Sequence, residues 1–196
     1  MARKTTSLAF LVCAAACLFA GAATAQEQPE MAAAMEAMQK AMTPGPEHAH
    51  LAEMVGEFKA TLKMWSVPGA PPTVSEGKSV RKMVLGGRVL HEDYTNNLMG
   101  MPMTGIGHTG YDNVTGKYWG TWSDNLSTGV SILEGTLDMK TGTGTMEGMT
   151  SQPMTGGKIK MRIEMRSEDG KEINDFYFEG PDGEMFKSME ITYERM

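Results

Sequence analysis

The chain has 196 residues, with 18 Lys and Arg against 24 Asp and Glu, a formal charge of −6 near neutral pH. An acidic surface repels phosphate backbones and anionic headgroups, so the composition excludes nucleic acid and anionic lipid as main partners. The length suits one domain with an appendage, enough chain to bury a sizeable core.

The first element in chain order is a leader. Arg3 and Lys4 precede an apolar run from Leu8 to Ala23, and Ala23-Thr24-Ala25 offers a small-residue cleavage site before Gln26. That order is the order of a secretory signal peptide, and the run falls short of the ~20 apolar residues of a membrane-spanning helix. The expectation is a periplasmic or secreted protein with residues 1–25 removed and no membrane insertion afterwards. A lipoprotein is the competing form, since Cys17 follows three alanines, but the branched apolar residue of a lipobox is missing. Cleavage would remove Arg3, Lys4 and both cysteines, Cys13 and Cys17, moving the formal charge from −6 to −8. The mature chain would then hold no thiol for a disulfide, a nucleophile or a cysteine metal site.

Residues 26–47 form the second segment. Met31, Met35, Met38 and Met42 recur at helical spacing in a run rich in Ala, Glu and Gln, and Pro44-Gly45-Pro46 ends the run. This predicts a helix over Gln26 to Ala41 with one methionine stripe, followed by a linker. Such a helix rests on the main domain or joins two copies into a homodimer.

Beyond Glu47 the apolar period changes from 3.6 to 2. Ile159, Met161, Ile163 and Met165 alternate with Lys160, Arg162 and Glu164, and Phe58, Ala60, Leu62 and Met64 alternate with Lys59, Thr61 and Lys63. These are half-buried antiparallel strands. Turn signals separate them at 67–69, 85–87, 113–116, 140–142, 155–157, 168–170 and 181–183. No helix-length periodic segment intervenes, so a parallel sheet with its long crossovers has no room. Residues 48–196 are therefore expected to form an all-β domain, an up-and-down antiparallel β-barrel of about eight to ten strands. A barrel of that size encloses side chains or one small ligand, whereas the alternative, a two-sheet sandwich, has no cavity.

Gly105 to Gly110 reads GIGHTG and fits the G-x-G-x-x-G spacing of dinucleotide sites. That fingerprint works only where a helix opens after the last glycine. Here Tyr111 to Trp119 reads as strand end, turn and new strand, so the glycines mark strand bends and close backbone approach, and no cofactor is expected.

LGGRVLHEDY at Leu85 to Tyr94, GHTGYDNVTGKYWGTWSD at Gly107 to Asp124 and EITYER at Glu190 to Arg195 resemble the bacterial domain-of-unknown-function 1579 family. The resemblance covers His48 to Met196 and implies a lipocalin-like or calycin-like barrel, often exported, without implying an activity. Gly56-Glu57-Phe58 stands where such barrels carry G-x-W, and Arg195 where their last strand carries an arginine packed over that ring. Phe in place of Trp weakens that cation–π contact.

Candidate chemistry is sparse. Arg88, His91, His108, Tyr111, Trp119 and Trp122 are the candidate ligand-binding residues, with Trp119 and Trp122 of opposite strand parity. The reading this supports is a binder of a small apolar ligand, without assigned catalytic or metal residues. Two alternatives stand beside it. Met99, Met101 and Met103, with His48 and His50, offer soft donors for a periplasmic Cu(I)-binding protein, against pliable packing as the simpler role of methionine. An enzyme with acids in the cavity is the other, with Asp112, Asp124 and Glu134 as converging carboxylates or, more simply, turn caps and surface charge. No G-x-S-x-G elbow or H-E-x-x-H supports it. The sequons at Asn113 and Asn125 read as turn chemistry.

Overall fold

The computed structural model describes residues 24–153 and 155–196. The leader expected at residues 1–25 lies, up to residue 23, outside the described residues. The chain divides after Met42 into two compact units. The first carries α1, Thr24–Met42, on which Met31, Met35, Met38 and Met42 are all exposed. Among the described residues no helix is long and apolar enough to cross a membrane.

The second unit opens with α2, Pro46–Glu53, where the sequence suggested a linker. Proline at the first helical turn costs nothing, because its missing N–H would have no partner there. The His48 N–H donates to the Gly45 carbonyl and the Gly45 N–H donates to His48 Nδ1, each at 3.1 Å. The Pro-Gly-Pro that ends one helix thus starts the next.

Ten strands follow: β1 Gly56–Met64, β2 Thr73–Val84, β3 Val89–Leu98, β4 Met101–Asp112, β5 Lys117–Asp124, β6 Ser131–Asp138, β7 Thr143–Gln152, β8 Gly157–Glu168, β9 Lys171–Glu179 and β10 Met185–Arg195. Each pairs antiparallel with its chain neighbours, and β1 pairs with β10 to close the barrel, Phe58 opposite Arg195 and Met64 opposite Met189. Closure satisfies the edges that an open sheet would expose and rules out the sandwich.

Every turn signal falls between two strands. Two further connections, at 99–100 and 125–130, were not anticipated. Met99 and Gly100 form a two-residue hairpin loop with φ of 53° and 87°, the double positive φ of a type I′ turn.

Strand alternation sends one set of side chains inward. Phe58, Ala60, Leu62, Tyr94, Ile191 and Tyr193 make one buried cluster, and Leu51, Leu90, Tyr118, Leu133, Met146 and Met161 the other, with Phe176 packed against both. The GIGHTG glycines lie within β4, and two of them seat indoles. A Cβ on Gly105 would run into Trp122 on the inner face, and one on Gly110 into Trp119 on the outer face. Close approach of aromatic rings, not phosphate, explains the spacing.

Candidate functional site

α2 packs on β2, β3 and β4 at the end of the barrel where β1 begins. Leu51, 1 % exposed, turns from α2 into the barrel. The Arg195 guanidinium fixes the junction: it donates to the Val55 carbonyl at 2.8 Å and the Glu53 carbonyl at 3.0 Å, and lies 4.9 Å from the centre of the Phe58 ring. This is the arginine-over-ring contact that the resemblance implies. Gly56 is required beneath it, because its φ of 149° suits only glycine and the guanidinium fills the place of a Cβ.

Inside the barrel is a cavity of about 400 Å³. Its walls are apolar for the most part, and among the described residues seven methionines line it, from Met54 just after α2 to Met189 on β10. Unbranched thioethers reshape easily around a guest, which suits a site for apolar molecules of varied form. Trp122 stands edge-on to Tyr94, ring centres 5.7 Å apart, and its indole N–H donates to Asp124 Oδ2 at 2.9 Å. Asp124 Oδ1 accepts from the backbone N–H groups of Leu126 and Ser127, at 3.0 and 3.1 Å, and so shapes the 125–130 loop beside the cavity.

A charged group is built into the inner face. Arg81, 5 % exposed, lies between the rings of Phe58 and Tyr193, at 4.7 and 4.2 Å from their centres. Its Nη1 donates to Glu172 Oε2 at 2.6 Å and its Nε to Glu92 Oε1 at 3.3 Å, while the Ser79 hydroxyl donates to the same Glu92 oxygen at 2.5 Å. Burial by itself would lower the Arg81 pKa; the carboxylates of Glu172 and Glu92 outweigh it and hold the group above its ordinary value. Burial raises Tyr94 and Tyr193 and pushes Tyr118 up to about 12, so all three phenols stay protonated at neutral pH. The Tyr118 hydroxyl and Asn174 Oδ1, on two lining residues, have no hydrogen-bond partner among the described residues.

The structure separates the residues singled out from sequence. Trp122 lines the cavity and His108 borders it. His91 faces outward: its Nδ1 lies 3.0 Å from His108 Nε2 and its Nε2 3.0 Å from Asp93 Oδ1. The histidine pair is thus a surface feature, because from His91 onward the odd-numbered residues of β3 point away from the core that holds Leu90 and Tyr94. Arg88 sits in the turn after β2, its Nη1 donating to the carbonyls of Leu85 and Gly86. Tyr111 packs between His48 and Tyr118, and Trp119 covers Gly110 outside.

Asp112, Asp124 and Glu134 do not converge. Asp112 accepts from Val114 N–H and Thr115 Oγ1, which hold its carboxyl below the usual range, and Glu134 lies 3.8 Å from Lys117 on the exterior. Met99 and Met101 are exposed at one rim, whereas Met103 lines the cavity. On helical α2, His48 is buried while His50 lies 3.2 Å from Glu53, so the extended arrangement in which the two could share a metal is absent. Among the described residues no group of three or more His, Cys, Asp or Glu could hold a metal ion.

Sequence reading missed the inner-face group of Arg81, Glu92 and Glu172. For Glu92 the signal was present: in β3 it shares parity with Leu90 and Tyr94, an acid on the apolar face.

No curated protein matches the chain. Residues 43–195, the barrel with α2, match the family described as "Protein of unknown function (DUF1579)". With the closed barrel, the resemblance in β3 to β5 and the Arg195–Phe58 contact in place, the chain belongs to that family.

Proposed function

We propose that this protein is exported and that its barrel binds a small, largely apolar ligand in the interior. The observation that carries the reading is the cavity of about 400 Å³ inside the barrel, with methionine and aromatic walls. Concave, mostly apolar cavities with a few placed polar groups are the usual form of small-molecule sites. At about 30 Å³ per heavy atom, the volume of a liquid water, the space suits a ligand of roughly a dozen non-hydrogen atoms. The leader-like segment supports export, and the missing catalytic motifs favour binding over turnover.

Native mass spectrometry of protein purified gently from its own compartment tests the binding reading. A discrete organic mass released on denaturation is expected; a clean apo mass that no alkyl probe shifts would overturn it. N-terminal sequencing tests export, with Gln26 as the expected first residue and retained Met1 as the refuting one.

A further inference from the structure

We infer that the ligand carries a cationic head, an ammonium on an apolar body, and that Glu92 with the rings of Tyr94 and Trp122 receives it. The inference rests on the cavity-binding reading above and names the class of molecule that fits.

The argument starts from charge. On the inner face the Arg81 guanidinium meets two carboxylates, Glu92 and Glu172, so the buried group has a formal excess of one negative charge. Glu172 is satisfied: both its oxygens accept from Arg81, and Oε1 also accepts from Asn174. Glu92 is satisfied on one side only. Its Oε1 takes Ser79 and Arg81, whereas no donor among the described residues reaches Oε2. Glu92 also lines the cavity, while Arg81 and Glu172 do not.

The free oxygen lies where a ligand would meet it. A Cβ built on Gly107 would stand 3.2 Å from Glu92 Oε2 and 3.4 Å from the Trp122 ring, so the carboxylate and the indole flank one glycine. Tyr94 stands against the same indole. A carboxylate beside aromatic rings is the arrangement that stabilises a desolvated ammonium, through one charge-assisted hydrogen bond and ring-face attraction. Among the described residues the rest of the lining adds a second carboxylate, Asp124, met only by neutral donors, and no Lys or Arg. His108 is the one lining residue with a basic ring among the described residues, and that ring is paired with His91 outside. An anionic amphiphile such as a fatty acid would find two negative charges and no free cation, because the Arg81 guanidinium is already engaged by Glu92 and Glu172.

The test compares three probes of one chain length, decylammonium, decanol and decanoate, by calorimetry on the full mature protein at neutral pH. Decylammonium is expected to bind at least tenfold tighter than decanol, and decanol at least tenfold tighter than decanoate. In Glu92→Gln the ammonium preference over decanol is expected to fall below threefold while decanol binding stays. Equal affinities, or decanoate as the tightest probe, overturn the cationic-head inference and leave the cavity reading standing. Binding of none of the three overturns both. The wild-type comparison decides the matter even if the variant does not fold.

Discussion

Replacing Arg81 by methionine should be among the most damaging single changes in the barrel. Methionine approximates the length of the side chain and keeps its contact with Phe58 and Tyr193, so what is lost is the charge and its donors to Glu172 and Glu92. Removing one partner of a buried ion group costs about 3–5 kcal/mol, because the remaining charge is left without compensation. At roughly 2–4 °C per kcal/mol for a domain of this size, the midpoint of thermal unfolding should fall by roughly 6–20 °C at pH 7. Thermal melts followed by circular dichroism at pH 7, wild type beside variant, measure this directly. Adding Glu92→Leu and Glu172→Leu should recover most of the loss, since apolar replacement of a whole buried ion group is close to neutral. A deficit under 1 kcal/mol at pH 7 would refute the reasoning.

Glu190 on the outer face gives a pH dependence. Burial would raise its pKa, but Lys187 at 2.7 Å and Lys63 at 2.8 Å bring it down from 4.5 to about 2. A carboxyl depressed on folding contributes stability above its unfolded value that is lost as pH falls from about 4.5 towards 2. Glu190→Gln should therefore be less stable at pH 7 and lose stability less steeply over that window in acid titrations; an unchanged slope counts against the assignment. Gly110→Ala should cost about 1–3 kcal/mol by crowding the Trp119 indole, and in a Trp119→Ala background the same change should cost at least 0.5 kcal/mol less, as denaturant melts of the four-member cycle would show. Additive costs would mean the indole is not the reason for the glycine. Met99→Asn should raise stability by about 0.5–1 kcal/mol, since Asn tolerates the positive φ that Met99 adopts at 53°. A fall in the melting midpoint would show that the methionine has a role the turn does not explain.

Much of the fold was legible because period-2 alternation and turn residues carry their own physics. Ile159 to Met165 and Phe58 to Met64 lie in strands with the expected register of apolar and charged faces. What was hidden had weak local signals. α2 is eight residues long and starts at the proline that reads as a stop. The Met99-Gly100 turn places a methionine in a conformation for which its side chain shows no preference. The site was harder, because strand parity inverts its composition. Histidines and tryptophans draw attention as chemical residues, yet His91 and Trp119 face outward, while Glu92, one residue from His91, faces in. Apolar neighbours at i−2 and i+2, Leu90 and Tyr94, fix that parity and identify the acid as the exception on its face.

That exception bears on why the inner charged group exists. A buried ion group placed for stability gains most when its charges balance, and even then roughly breaks even with apolar packing. Here Arg81 would be matched by Glu172 alone, which engages Nη1 and Nη2 at 2.6 and 3.4 Å; Glu92 adds a second negative charge at 3.3 Å from Nε and extends to the cavity. The two roles predict opposite outcomes for Glu92→Gln in the ligand-free protein. If Glu92 is structural, removing its charge breaks the group and costs about 3–5 kcal/mol. If it serves a cationic guest, the empty barrel carries a surplus charge, Gln keeps an oxygen for Ser79 and Arg81, and the variant should melt at or above the wild-type temperature. The same substitution should then remove the extra stabilisation that decylammonium confers on the wild type, linking the stability of the barrel to the charge of what it holds.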